Sequence, residues 1–383
     1  MSRSLRRNSI AILLGAALVA VIALVGGCSS TPAAAPTAAP AAATKAPAAA
    51  PTSAPAAAAT KAPAAAPTTA AAAPSTEYTK TSARIGHTGE VDSLLEQDAQ
   101  DFAKLVGERS GGAVQIKTYP SSQLGKQQEL DQQVQLGSLE MGIPSSDMVS
   151  VVGEFSIFDM PSIFKDRAQV KKAVEGPLGQ ELTALAAKKN MIILGYWENG
   201  FRVMTDNKGP IRTPADLKGL KIRVPPNDAR VQMFKLWGAN PGPLSFSEVF
   251  SALQTGVFDG QENPYAQITS AKFYEVQKYL SETNHVYTPT YLVASPKWFN
   301  SLNDATKKLL LDTAKEVGDN SRARGAKMDE DGRKLVESKG MKVNTDVDTK
   351  AFKDAAQPMF TDFVKKYGAE GQKLLDLLNQ ATQ

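Results

Sequence analysis

Between residues 83 and 119 the chain reads Ala83-Arg84-Ile85-Gly86, then Leu95, Ala99, Phe102 and Val106 within a mixed stretch, then Gly111-Gly112 and Val114-Gln115-Ile116-Lys117-Thr118-Tyr119. The first four residues close a short strand. The four apolar residues share one face of a helix from about Asp92 to Ser110, because positions three and four apart stack on consecutive turns. The glycine pair stops that helix, and Val114 to Tyr119 supplies the next strand. Strand, helix and strand in this order form the unit of an α/β layer.

The rhythm extends outward from there. A helix is predicted near Lys126 to Leu136, a strand from Leu139 to Ile143, a helix near Asp166 to Lys189 and a strand from Met191 to Trp197. Beyond Asn199, Phe201 to Thr205 and Leu220 to Val224 read as strands, and Arg230 to Trp237 and Ser247 to Thr255 as helices. Tyr291 to Ala294 is a strand, and Ala305 to Lys339 is one long, charge-rich helical stretch. The 307 residues from Glu77 onward suffice for two lobes of ordinary domain size. Two α/β lobes with a cleft between them suit a ligand clamp that closes about a hinge.

Upstream, the composition changes completely. Arg3, Arg6 and Arg7 precede an uncharged apolar run from Ile10 to Val25, followed by Gly26, Gly27 and Cys28. A basic start, an apolar run and small residues before a cleavage point make a secretory signal over residues 1–27. At about 16 residues the run falls short of the roughly 20 that span a bilayer, and retention as a signal anchor is the alternative. Cys28 is the one cysteine of the 383 residues, which excludes an intrachain disulfide or a multi-cysteine metal site. Residues 28–76 form a tether. From Thr31 on they are almost wholly Ala, Pro, Thr and Ser, and the run Thr44 to Thr52 recurs at Thr60 to Thr68. Frequent prolines interrupt any helix and no large apolar side chain is present to form a core.

The whole chain carries a formal charge of +4, but this belongs to its start. Arg3, Arg6, Arg7, Lys45 and Lys61 are the basic residues before Glu77, leaving 38 of the 43 basic residues to face all 39 acidic ones. The body is thus at −1, which argues against nucleic acid as a partner. Enzyme signatures are also missing. There are two histidines, His87 and His285, and no Gly-x-Ser-x-Gly elbow, phosphate-binding glycine loop or His/Cys metal cluster. No catalytic residue, metal or cofactor is predicted.

Five segments in order then resemble one family. They are Tyr119-Pro120-Ser121-Ser122-Gln123-Leu124-Gly125, Phe158-Asp159-Met160-Pro161-Ser162-Ile163-Phe164, Asn199-Gly200-Phe201-Arg202 and Asp216 to Val224. The fifth runs from Phe246 to Gly256 and continues as Asp259-Gly260-Gln261-Glu262-Asn263-Pro264. From about Tyr78 to Tyr291 the chain resembles the solute-binding receptors of TRAP transporters, the DctP family; Ser162 departs from that family's usual aromatic. Val25-Gly26-Gly27-Cys28 likewise resembles a bacterial lipobox, which implies lipidation of Cys28 and a lipid anchor on the extracytoplasmic side of the membrane. A chance cysteine near a signal is the bland alternative.

The resemblance implies a two-lobed, type II-like periplasmic-binding-protein fold. The lobes would divide near residues 200 and 288, with a long helix crossing both. It also implies delivery of a small carboxylate ligand (dicarboxylate, hydroxy or keto acid, or sugar acid) to a membrane permease. Carried over by position, the carboxylate-binding arginine falls on Arg223, its partner on Arg202, the amide on Asn263 and the aromatic cover on Phe246. Arg223 is equally able to pair with a surface acid, Asn263 to serve a turn and Phe246 to fill a core. Trp197 and Ser145 are added as residues near the expected cleft. A protein presenting its ligand to a membrane sensor, or an ABC-type receptor, are the competing readings.

Overall fold

The computed structural model describes residues 77–383; the predicted signal, Cys28 and the tether lie outside the described residues. In chain order the first lobe begins β1 (Thr81–Gly86), α1 (Leu94–Arg109), β2 (Val114–Tyr119), α2 (Gln127–Leu136), β3 (Met141–Gly142) and α3 (Met148–Val151). It continues with α4 (Arg167–Glu175), α5 (Pro177–Ala187) and β4 (Ile192–Phe201). The chain then passes into the second lobe: β5 (Val203–Asp206), β6 (Lys221–Val224), α6 (Asp228–Leu236), β7 (Asn240–Pro243), α7 (Val249–Gln254), β8 (Gly260–Asn263), α8 (Tyr265–Ser270) and β9 (Tyr279–Ser281). It returns through β10 (Tyr287–Ala294) and α9 (Pro296–Phe299), and ends with α10 (Asp304–Ser338), β11 (Lys342–Asn344), α11 (Thr349–Ala355) and α12 (Pro358–Thr382).

Each lobe is built on its own sheet. The first has the order β2-β1-β3-β10-β4 and the second β11-β9-β5-β8-β6-β7. β1 pairs in parallel with β2 and β3, while β10 runs antiparallel to β3 and β4. All eight residues of β10 and all four of β5 and of β8 are buried, as strands covered on both faces must be. The two passages between lobes lie side by side. Arg202 separates β4 from β5, and its amide donates to the Val286 carbonyl on the returning strand at 3.0 Å.

Where the sequence predicts one helix from Asp166 to Lys189, there are two. Gly176 is extended (φ −93°, ψ −165°) and Pro177 opens α5. Proline has no amide to donate and disfavours a helical residue before it, so the break falls at this dipeptide.

α10 is a single helix of 35 residues that packs on α1 and β4 of the first lobe and on α8 of the second. It approaches β4 over a track of small residues: Ala314, Gly318, Ser321 and Gly325. A Cβ on Gly318 would lie 2.7 Å from the Tyr196 carbonyl oxygen, and one on Gly325 would lie 2.5 Å from Glu198 Cγ. Gly332 continues the track onto Tyr265 of α8, whose Cβ is 3.1 Å from the position of such an atom.

Candidate ligand-binding site

The segments after β1 and β3 face the second lobe across a polar cavity. Thr88, Gln127, Ser145 and Ser146 line it from the first lobe, and Arg223, Phe246, Asn263 and Gln267 from the second. Asn199 and Arg202 lie at the passage between them. The lobes touch here: Gln127 Oε1 accepts from the Phe246 amide at 3.1 Å, and Asn227 Nδ2 donates to the Ser146 carbonyl at 3.0 Å. On the rim, Lys126 Nζ meets Glu248 at 2.9 Å.

Arg223, on β6, is 1% exposed. Its Nε and Nη2 donate to a single acceptor, the Leu244 carbonyl, at 2.9 and 2.5 Å. Among the described residues no carboxylate lies within ion-pair distance of it. Burial lowers its pKa to about 9; Glu262 opposes that shift, while Arg202 and Arg230 reinforce it. A cation held so far from water without a counterion is the electrostatic condition an incoming anion relieves.

Arg202 is placed differently. Its guanidinium grips Glu262 through both Nε and Nη2, and Nη2 also donates to Asn263 Oδ1 at 3.0 Å. Glu262 further accepts from Arg230 Nη1 at 2.6 Å, and Arg230 Nη2 reaches Asp159 of the first lobe at 2.5 Å. Burial alone would raise the Glu262 pKa, but the two guanidiniums hold it well below the usual carboxylate range. His285 completes the network. Burial pushes its pKa down to about 4, so near neutrality its Nε2–H donates to Glu262 at 3.2 Å, while Nδ1 accepts from the Thr283 hydroxyl. Arg202 thus enters the site as half of an internal ion pair, with Arg223 as the cation left over.

Asn263, predicted as an amide donor, is the last residue of β8. One of its Nδ2 hydrogens goes to Gln261 Oε1 at 2.6 Å. Phe246 serves two settings: it packs on Phe273, with centroids 5.8 Å apart, and also lines the cavity. Ser145 is part of a relay in which Gln267 donates to Asn199, Asn199 to Ser145 and Ser145 to the Pro289 carbonyl.

Trp197 does not belong with these residues. It is 1% exposed, packs edge-on to Phe102 and donates its indole N–H to the Ala314 carbonyl, deep under α10. The β4–β10 register shifts between Thr288 and Pro289, so that Glu198 and Gly200 have partners and Asn199 bulges out. A bulge re-aims the strand, and Asn199 rather than Trp197 faces the cavity.

Sequence reasoning did not assign Gln127, Asn199, Glu262, Gln267 or Arg230. Arg230 carries a readable signal, since it shares the buried face of α6 with Met233 and Phe234. A charge at an apolar helical position indicates a buried partner.

The family model for bacterial extracellular solute-binding protein, family 7 (DctP), matches residues 85–366. The 2,3-diketo-L-gulonate-binding periplasmic protein YiaO of Escherichia coli strain K12 is 36% identical over 304 residues, which cover 78% of this chain and 92% of that protein. The sialic acid-binding periplasmic protein SiaP of Vibrio cholerae is 32% identical over 290 residues, covering 75% and 90%. Among solved structures, a TRAP periplasmic solute-binding protein from Polaromonas sp. JS666 bound to D-erythronate matches with a TM-score of 0.75 and 35% identity, over 78% of this chain and 98% of that one.

Proposed function

The chain belongs to the bacterial extracellular solute-binding proteins of family 7, and from that premise we propose that it captures a monocarboxylate bearing several hydroxyls, of the sugar-acid type, for a TRAP permease. The observation that carries the ligand class is Arg223: a buried cation with one carbonyl partner and, among the described residues, no acid within ion-pair distance. A single unmatched guanidinium suits a single carboxylate, which its planar fork binds at both oxygens. The rest of the wall (Thr88, Gln127, Ser145, Asn199, Asn263 and Gln267) offers neutral hydroxyls and amides, the partners a polyhydroxy chain needs. Two of the relatives' names point the same way, while two others are named for C4-dicarboxylates. The Polaromonas protein holds D-erythronate, and the Escherichia coli protein is named for 2,3-diketo-L-gulonate.

The role is that of a receptor without turnover. Glu262 and Arg202 are tied to each other and His285 is neutral and enclosed, so these groups are occupied in the network rather than free for proton transfer. Mass spectrometry of small molecules released from gently purified protein should show a sugar acid, and calorimetry should rank D-erythronate or D-galactonate at least tenfold above succinate. Recovery of a dicarboxylate, or equal affinity for succinate, sinks the monocarboxylate reading.

We also propose that processing before Cys28 leaves a lipid-anchored cysteine at the extracytoplasmic face, with residues 28–76 as a tether and the body from Glu77 as the binding unit. The support is Val25-Gly26-Gly27-Cys28 and the lack of any other thiol. Cys28→Ala is expected to release the protein from the membrane fraction; continued membrane association after cleavage at the same site contradicts the anchor.

A further inference from the structure

We propose that Asp131 and Asp147 share one proton directly behind the cavity wall, that this proton positions Gln127 and Ser145, and that ligand capture is coupled to proton uptake at this pair. The coupling to ligand rests on the carboxylate reading above; the shared proton does not.

The geometry begins with α2. Its buried face is Gln127, Leu130, Asp131 and Val134, so an acid occupies a position that helical periodicity gives to the core. Asp131 is 3% exposed and Asp147, at the start of α3, is 2% exposed. Gln127, on the same buried face of α2 as Asp131, bonds Asp147, which brings the two carboxyls near enough for each to shift the other's titration. Oδ2 of Asp131 is buried with no donor in reach. Asp147 Oδ1 accepts from the Ser145 amide at 3.0 Å and from Gln127 Nε2 at 3.3 Å. Ser145 and Gln127 both line the cavity, and Gln127 passes the contact on to the Phe246 amide of the second lobe.

Two carboxylates this near in a dry interior cannot both ionise, so one proton lies between them. Burial raises both groups above the ordinary Asp range, Asp131 most strongly, with the charge of Asp147 adding to the effect. Hydrogen bonds from the Ser145 amide and Gln127 oppose the rise at Asp147, and nothing opposes it at Asp131. Arg223 on β6 is the cation whose charge reaches Asp147. From β10, Tyr291 faces both Asp147 and Asp159 and stays protonated. Loss of the shared proton sets two anions against each other. Asp131, lacking a donor, is driven away and takes with it the first turn of α2, which carries Gln127. A ligand carboxylate on Arg223 adds negative charge on the far side of the same wall, so it strengthens the pair's hold on its proton. Binding and protonation therefore promote each other.

The sign follows from linkage. The pair titrates higher in the folded chain than in the unfolded one, so its contribution to stability is full at low pH and is lost as pH rises through the folded titration. Thermal melts of the ligand-free protein between about pH 5 and pH 9 should show wild type losing ground to Asp131→Asn as pH rises. The amide keeps the shape and donates to Asp147 without a titrating proton. Glu198 and Asp98, which burial raises to about 7 and about 8, are common to both proteins and cancel in the difference. Calorimetry with D-galactonate in two buffers of different ionisation heat, at a pH where the melts show the ligand-free pair partly deprotonated, should show proton uptake by wild type and none by Asp131→Asn. Wild-type affinity should fall by up to tenfold per pH unit across the window, against a flat profile for the variant. Should Asp131→Asn not fold, Asp147→Asn is subject to the same expectations. Identical pH profiles of wild type and variant in the melts overturn the shared proton. Different melts with equal proton uptake overturn the coupling. If D-galactonate binds neither protein, the sugar-acid reading fails, while the melts still decide the pair.

Discussion

Arg223→Ala should bind the captured acid roughly 30- to several-thousand-fold more weakly than wild type, the equivalent of about 2–5 kcal/mol at about 1.4 kcal/mol per decade. The size of the effect comes from what the variant leaves behind. The body has no excess positive charge to hold an anion at a distance, and Arg202 and Arg230 are already committed to Glu262 and Asp159. A carboxylate entering the cavity of the variant would be desolvated with no cation free to meet it. Arg223→Lys keeps the charge but loses the planar fork, so its affinity should lie between the two. Calorimetry on the three proteins with an acid and its methyl ester is the measurement. Full affinity of the alanine variant for the acid, or equal affinity of wild type for the ester, would falsify the clamp.

The second large effect is on stability. Glu262→Ala removes the one acid shared by Arg202 and Arg230, all three being almost wholly buried. Breaking a buried ion pair from one side typically costs about 3–5 kcal/mol, because the abandoned charge stays out of water. For a body of this size that is a fall of many degrees in Tm. Glu262→Gln retains acceptor and donor atoms but not the charge, and should fall between wild type and alanine. The comparison that isolates the charge is Glu262→Gln alone against Glu262→Gln with Arg230→Gln, measured by thermal melting without ligand. Since Arg230→Gln also takes from Asp159 its ion-pair partner, the double variant is expected to recover only part of the loss. A Glu262→Ala melting point within a degree or two of wild type would show that the network carries little of the fold's stability.

The alternation of strands and helices was legible because both periodicities are local. The span of α10 is the clearest case: Ala305 to Lys339 was predicted and Asp304–Ser338 is observed. The strand that carries Arg223 was legible, since Leu220 to Val224 was predicted and Lys221–Val224 is observed. The partners were not. Nothing in the segment Asn199-Gly200-Phe201-Arg202 says that Arg202 will spend its charge on Glu262, since that pairing depends on β5 and β8 lying antiparallel with Val203 opposite Asn263. The placement of Trp197 failed for a narrower reason. Alternation along β4 gives Trp197 and Asn199 the same face, and only the bulge against β10 sends them to opposite sides. Asp131 and Asp147 were invisible as a pair because 15 residues and a change of element separate them.

The glycine track beneath α10 has a mechanical consequence. A helix of 35 residues is about 52 Å long at about 1.5 Å per residue. With only small side chains between them, it lies close against the strand that leads into the passage between lobes, and its far end is seated on α8. A rod gripped at both ends cannot follow a rotation of one support without flexing. Any rotation of one lobe against the other would therefore have to bend α10 or unseat it from β4 or α8. A ligand that drew the lobes together would work against that stiffness, although no residue of α10 lines the cavity.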